Sequence, residues 1–309
     1  MKLTRFCPAK INLFLEVTGK RPNGYHELAT LFAKISLGDT LTLCAAPASH
    51  TEISLQLSGP QAGNIPADST NLVYKAAQHF LEYYQLQAHV ELHLEKHVPT
   101  GAGLGGGSSD AAGVLLGLCE IFNKPVLELL PLATQLGADV PLFLYPDTFL
   151  EGKGIGEKLT PIPTNSALPE LILIYPRVAV STAQVFSRLQ LPPQDEILTN
   201  ISKLSRLIGA VRDGTPLQNW KPLLFNRLEE YVFPLVAPVQ KARDLLASIN
   251  NGVCGMSGSG STVFALVGTK LDAVNLAKQI EVSGYLVYPV SFYKEPTRAN
   301  YRHTDSSNE

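Results

Sequence analysis

The chain has 309 residues, 45% of them hydrophobic and 17% charged, with a formal net charge of −2. That composition suits a folded protein with room for two domains and excludes a disordered chain. The near-neutral balance gives no electrostatic case for nucleic acid or an anionic membrane as partner, and the longest apolar runs, such as residues 171–175, are too short to span a bilayer.

Residues 3–18 alternate and are bounded by Gly19 and the turn signal Pro22-Asn23-Gly24, which predicts a strand. Within it, Pro8-Ala9-Lys10-Ile11-Asn12-Leu13-Phe14-Leu15 sets a lysine and an asparagine in an apolar run. Period-two alternation puts Lys10 and Asn12 on one face, with Leu13 and Leu15 on the other. A buried lysine there needs an anionic partner, whereas an edge strand with one wet face needs none. Next comes Asn23-Gly24-Tyr25-His26-Glu27, a turn that offers a ring for stacking and an imidazole for hydrogen bonding. Residues 28–35 and 40–43 read as strands split by Gly38-Asp39, and 52–57 as a third. Helical spacing covers 71–84, and 90–94 reads as a strand. His89, His93 and His97 share a strand face, but no carboxylate or cysteine completes a metal site there at ordinary ligand spacing.

Residues 99–112, Pro-Thr-Gly-Ala-Gly-Leu-Gly-Gly-Gly-Ser-Ser-Asp-Ala-Ala, form the most informative stretch. Gly101, Gly103, Gly105, Gly106 and Gly107 allow close backbone approach and positive φ. Ser108, Ser109 and Asp110 are good N-cap residues for the helix expected to run to about Phe122. A glycine-rich loop opening a helix is an anion site, and a nucleotide triphosphate is the natural anion. It is not a Walker loop, because no lysine lies between Lys96 and Lys124. A dinucleotide fingerprint on Gly101, Gly103 and Gly106 lacks its ribose-binding acid: Asp110 is too near and Glu128 lies in a leucine-rich helical pattern.

A helix is predicted over 126–136, followed by Gly137-Ala138-Asp139-Val140-Pro141, where the aspartate reads as a cap or as a catalytic carboxylate. The proline-rich run 160–169 marks a domain boundary. Beyond it, strands are expected at 171–175, 253–256, 262–267 and 285–290, with helices at 181–190, 198–213, 235–250 and 271–282. A second glycine cluster, Gly255 to Thr262, suits either a hairpin turn or a closure over phosphates. Strands and helices in both halves predict an α+β protein in two layers, with a frayed polar tail from Tyr293. Cys7, Cys44, Cys119 and Cys254 stand alone, and Met1 to Arg5 lead into no apolar signal core, so a reducing cytoplasm is expected.

In this order, residues 8–15, 99–112 and 256–262 resemble the three motifs of the GHMP kinase superfamily, a likeness that runs over about residues 5–292. Within it, Pro8 to Leu13, Gly24-Tyr25-His26, the loop 105–109 and the run 137–141 resemble the branch that phosphorylates a cytidine diphosphate-linked methylerythritol in non-mevalonate isoprenoid synthesis. The resemblance implies a ribosomal-protein-like N-terminal domain (1–163), a ferredoxin-like C-terminal domain (164–292) and a polar tail (293–309). It implies ATP and Mg²⁺ as cofactors, a small-molecule substrate, and an active site in the cleft.

Under that resemblance Asp139 is the general base and Lys10 pairs with it and stabilises the transferring phosphoryl group. ATP would be held by Pro99, Thr100, Gly101, Ala102, Gly103, Leu104, Gly105, Gly106, Gly107, Ser108 and Ser109, with Asn71 and Lys96 at the adenosine. Asn12, Tyr25, His26 and Phe186 would bind the substrate, with Tyr25 and His26 gripping the cytosine and Phe186 on its other face. Gly258, Ser259 and Gly260 belong to the third motif. Asp110 either caps the helix or assists Mg²⁺, with the cap favoured, and no metal ligand is identified. Two alternatives are a GHMP kinase for another alcohol, such as homoserine or mevalonate, and a catalytically silent nucleotide sensor. Tyr25 and His26 speak against the first, and Lys10 with Asp139 against the second.

Overall fold

The computed structural model describes residues 1–63, 65–164, 167–249, 253–280 and 284–295. Two long strands, β1 (Lys2–Lys20) and β2 (His26–Pro47), pair antiparallel along nearly their whole length. The break expected at Gly38-Asp39 does not occur. Gly38 lies opposite Pro8, and a Cβ there would press into the Phe6 ring and the Cys7 carbonyl. Glycine at this point lets two strands approach; it does not end one.

In chain order there follow β3 (Glu52–Ser58), α1 (Leu72–Tyr83), β4 (Ala88–Glu95), α2 (Gly106–Phe122), α3 (Leu130–Leu136), β5 (Phe149–Gly154) and β6 (Lys158–Ile162). The remainder is β7 (Glu170–Tyr175), α4 (Thr182–Arg188), α5 (Gln194–Asp213), β8 (Phe225–Asn226), α6 (Glu229–Val232), α7 (Ala237–Ile249), β9 (Cys254–Met256), β10 (Val263–Val267), α8 (Lys270–Ile280) and β11 (Leu286–Val290). One sheet has the order β3-β4-β2-β1-β8, with β5 and β6 extending from the other end of β2; the second runs β11-β7-β10-β9. β8 lies beyond the proline-rich run yet pairs parallel with β1, so residues after 163 contribute to both sheets.

Three apolar layers hold this arrangement. Phe80, Ala77, Leu115 and Leu118 of α1 and α2 cover one face of the first sheet, on Leu41, Leu43 and Leu92. Its other face, with Ile11, Leu13, Leu31 and Ile35, packs on Leu171, Leu173 and Phe264 of the second sheet and on Leu207 of α5. The far side of the second sheet is closed by Val239 and Leu246 of α7 and Ala277 of α8. The first sheet is therefore buried on both faces, and burial of this apolar surface is the main source of stability.

A buried charge knot joins the halves. Glu16 of β1 is fully buried and receives a two-pronged contact from Arg227, Nε to Oε1 and Nη2 to Oε2, both 2.8 Å, plus Asn200 of α5 at 2.6 Å. Residues 293–295, expected to fray, lie along β2, where Tyr293 N–H donates to the Lys34 carbonyl at 2.9 Å. The rest of the tail, 296–309, lies outside the described residues. No helix among those described is long and apolar enough to cross a membrane.

Candidate active site

Lys10 and Asn12 of β1 face the cleft as alternation predicts, both almost fully buried. Lys10 Nζ donates to Asn12 Oδ1 at 2.9 Å, and Asn12 Nδ2 to Thr30 Oγ1 at 2.8 Å. Thr30 in turn donates to the Phe14 carbonyl at 2.6 Å, so the amide is locked from both ends. The same ammonium lies 3.3 Å from Asp139 Oδ2. Asp139 does not cap the 3₁₀ turn that follows, Pro141–Leu144, which has no side-chain cap. A register shift between Asn12 and Phe14 breaks the alternation, and Leu15, expected on the opposite face from Lys10, lines the cleft instead.

The glycine loop leads into α2, but its cap differs from the expectation. Gly105, in the left-handed region at φ 67°, is the N-cap, and Ser108, Ser109 and Asp110 lie inside the first turns. Ser109 N–H donates to the Gly105 carbonyl at 2.9 Å, which leaves the amides of Gly106, Gly107 and Ser108 at the open helix end, turned to the cleft side. Ser109 itself is buried, does not line the cleft, and its hydroxyl has no hydrogen-bond partner. Every residue from Pro99 to Ser108 lines the space.

Two residues assigned to adenosine have their side chains engaged elsewhere. Asn71 caps α1, its Oδ1 accepting from Val73 N–H at 2.9 Å and its Nδ2 donating to the Pro66 carbonyl at 2.7 Å. Lys96 Nζ is held between Asp39 and Asp110, the latter at 2.6 Å. Both residues line the cleft, and neither has an uncommitted side chain to offer as its main contact. Asp110 is thus no cap. Burial pushes its carboxyl up to about 8, with Lys96 pulling down and Asp39 pushing up.

At the far end of the cleft, the His26 and Phe186 ring centroids lie 5.1 Å apart at 32°. Two rings that close leave no room for a third between them, so a cytosine cannot slot between His26 and Phe186. Tyr25 is 58% exposed on the turn and free to swing over a base. Burial, then Lys20, holds the His26 imidazole below its usual range.

The second glycine cluster takes the hairpin form. It is a hairpin connection between β9 and β10, and Gly258 and Ser259 also line the cleft. Gly260 does not; it lies behind Gly103, where a Cβ would overlap the Ser257 and Gly260 carbonyl oxygens. Ser257 Oγ donates to the Gly103 carbonyl at 2.9 Å and Thr262 N–H to Ala102 at 3.1 Å, which stitches the two loops together. Three residues the sequence reading did not single out support the site. Asn226 Nδ2 reaches the Met256 and Gly258 carbonyls, both at 2.8 Å, and Thr182 meets Ser259 at 2.7 Å. The third is Thr30 beneath Asn12.

The cleft encloses about 1230 Å³, enough for two ligands side by side. One other group among the described residues could hold a cation: His50, Glu52 and His89, all exposed on the β3–β4 edge. His93 and His97 do not join it, turning instead to Ser58 and Glu95.

Residues 71–147 match the GHMP kinases N terminal domain and residues 208–284 the GHMP kinases C terminal domain. The chain is 38% identical to a 4-diphosphocytidyl-2-C-methyl-D-erythritol kinase of Chloroherpeton thalassium, covering 84% of this chain and 87% of that one. It is 33% identical to the chloroplastic enzyme of that name from Arabidopsis thaliana, over 97% and 78%. A crystal structure of 4-(cytidine 5'-diphospho)-2C-methyl-D-erythritol kinase superposes with a TM-score of 0.74 at 33% identity, covering 94% and 100%. A homoserine kinase from Cytophaga hutchinsonii superposes at 0.76 with 18% identity over 95% and 96%, a likeness of fold alone.

Proposed function

The chain belongs to the GHMP kinase family, and from its likeness to one branch we infer its reaction and the part each residue plays. It transfers the γ-phosphoryl group of ATP to the C2 hydroxyl of 4-diphosphocytidyl-2-C-methyl-D-erythritol, a step of non-mevalonate isoprenoid precursor synthesis. The observation that carries the mechanism is the Lys10–Asp139 pair in the same cleft as the open N-terminus of α2.

Phosphoryl transfer asks the protein chiefly for positioning and charge stabilisation. The loop amides and the positive end of α2 hold the ATP phosphates. Asp139 takes the hydroxyl proton as the substrate oxygen bonds to the γ-phosphorus, the bond to the β-phosphate oxygen breaks, and ADP leaves. Lys10 steadies charge on the transferring group, while Asn12, fixed by Thr30, orients the alcohol. The base stacks under Tyr25 with the His26–Phe186 pair as one wall. Mg²⁺ would neutralise phosphate oxygens, and the Ser108 hydroxyl, a hard oxygen donor lining the same space, suits a cation held mostly by ATP itself.

The test is ADP release from purified protein with ATP, Mg²⁺ and the cytidine substrate, with mevalonate and homoserine in parallel. ADP with the cytidine compound alone supports the assignment; release only with mevalonate or homoserine replaces it.

A further inference from the structure

The segment that carries the phosphate loop begins and ends on one buried ammonium. Lys96 stands just before the loop, at the end of β4, and Asp110 just after it, in α2. Lys96 Nζ donates to Asp110 Oδ2 at 2.6 Å, and the ammonium also meets Asp39 of β2. All three residues are at most 3% exposed. Asp39 does more: its Oδ1 accepts the backbone N–H of His97 at 2.5 Å and of Val98 at 2.8 Å, the first two residues after Lys96. Its Oδ2 lies 3.5 Å from where a Gly106 Cβ would stand, directly beneath the start of α2. The Lys96 backbone is pinned as well, donating to Ser58 at 2.8 Å and accepting from Gln61 at 3.0 Å.

Buried ion pairs seldom add much net stability, because desolvation offsets their attraction. What such a group does give is a single geometry for whatever it joins. Here it joins the two ends of a loop whose five glycines favour many geometries.

We propose that Asp39, Lys96 and Asp110 are positioning residues for phosphoryl transfer: one ammonium ties both ends of the phosphate loop and so fixes the direction of the first amides of α2. The proposal rests on the ATP site described above. It also gives Lys96 work at the nucleotide without direct contact, since its ammonium is already held by Asp39 and Asp110. Asp110 Oδ1, buried without a hydrogen-bond partner, leaves the triad joined through Oδ2 alone, so the link is a single contact that substitution can cut.

The experiment compares wild type, Asp110→Ala and Asp110→Asn by calorimetric ATP binding without any alcohol substrate, by steady-state kinetics, and by hydrogen exchange over residues 100–109. Asp110→Ala should raise the Kd and KM for ATP about tenfold or more, since small displacements at a reacting phosphate are costly, and leave the KM for the cytidine substrate within about twofold. Asp110→Asn should recover most of the loss, because its side-chain oxygen still accepts from Lys96. Exchange should quicken in the loop alone. Wild-type ATP affinity in folded Asp110→Ala, or exchange that quickens evenly along the chain, overturns the proposal. If the alanine variant does not fold, exchange in Asp110→Leu, which keeps the side-chain volume without an acceptor for Lys96, decides: selective quickening over 100–109 supports the clamp, and uniform or absent change overturns it. Failure of the wild type to bind ATP removes the site itself, an outcome distinct from a clamp that does not matter.

Discussion

Lys10 Nζ lies 3.3 Å from Asp139 Oδ2 and 2.9 Å from Asn12 Oδ1, so one ammonium joins the proposed base to the amide proposed to orient the alcohol. The three side chains come from two distant stretches of sequence, and all three line the cleft.

Because the trio acts as a unit, its losses should not add. Asp139→Asn is expected to lower kcat by roughly 10²- to 10⁴-fold, the range of general-base contributions, with ATP affinity within about threefold. Lys10→Met should fall in a similar range, and the double variant should be little worse than either single one. Near-normal turnover in Asp139→Asn would remove the base assignment.

The loop glycines should divide by what surrounds them. A Cβ on Gly107 meets nothing within 4 Å, whereas on Gly105, at φ +67°, it meets Lys10 Cε at 3.1 Å and Phe143 at 3.2 Å. Gly107→Ala should therefore melt like the wild type and bind ATP more weakly, its methyl occupying phosphate space. Gly105→Ala should lose about 1 kcal/mol or more of stability from the left-handed backbone, and most of its turnover from a displaced Lys10. Thermal melts and ATP titrations separate the two.

Tyr25→Ala should raise the KM for the cytidine substrate by the value of one stacking contact, about 1–3 kcal/mol, with the KM for ATP unchanged. The His26 imidazole, held below its ordinary 6.5 by burial and by Lys20, stays neutral above that pH. The substrate KM should show no inflection from His26 between pH 7 and 9, and a step there that vanishes in His26→Gln would contradict this.

Asp110 has a pH signature of its own. With its carboxyl at about 8 when folded and 3.8 ordinarily, the native protein keeps a proton that the unfolded chain releases between those values. Its contribution to stability therefore falls as pH rises through that window. Asp110→Asn cannot titrate, so its melting temperature relative to wild type should improve steadily from pH 5 to pH 8. A flat difference across that range would refute the shift.

Arg227→Met should cost about 3–5 kcal/mol, because it leaves the fully buried Glu16 without its principal cation. The double change Glu16→Gln, Arg227→Met should recover part of it, as denaturant titration can show.

Long, strongly patterned segments were legible in the sequence. β1, β4 and the helices α1 and α2 declare themselves by period, and the glycine loop by composition. β5 and β6 were not, because Gly152, Gly154 and Pro161 carry turn chemistry while the pairing comes from β2. Two-residue β8 has no pattern to read at all. At the site, the pairing of Lys10 with Asp139 needed the resemblance, since spacing cannot bring distant residues together. Asp110 was misread because its residue type favours caps, whereas buried partners from β2 and β4 decide its role. Asn226 and Thr30 gave no local signal beyond a polar residue in an apolar setting.

Gly103 answers to a different neighbour from the rest of its loop. A side chain there would strike the backbone of Ser257 and Gly260 on the opposing loop. Its constraint is architectural, so it would persist in a descendant of this chain that had lost all kinase activity. Anyone recasting the cleft for a new anion has freedom at Gly107 and none at Gly103, although the two read alike in the sequence.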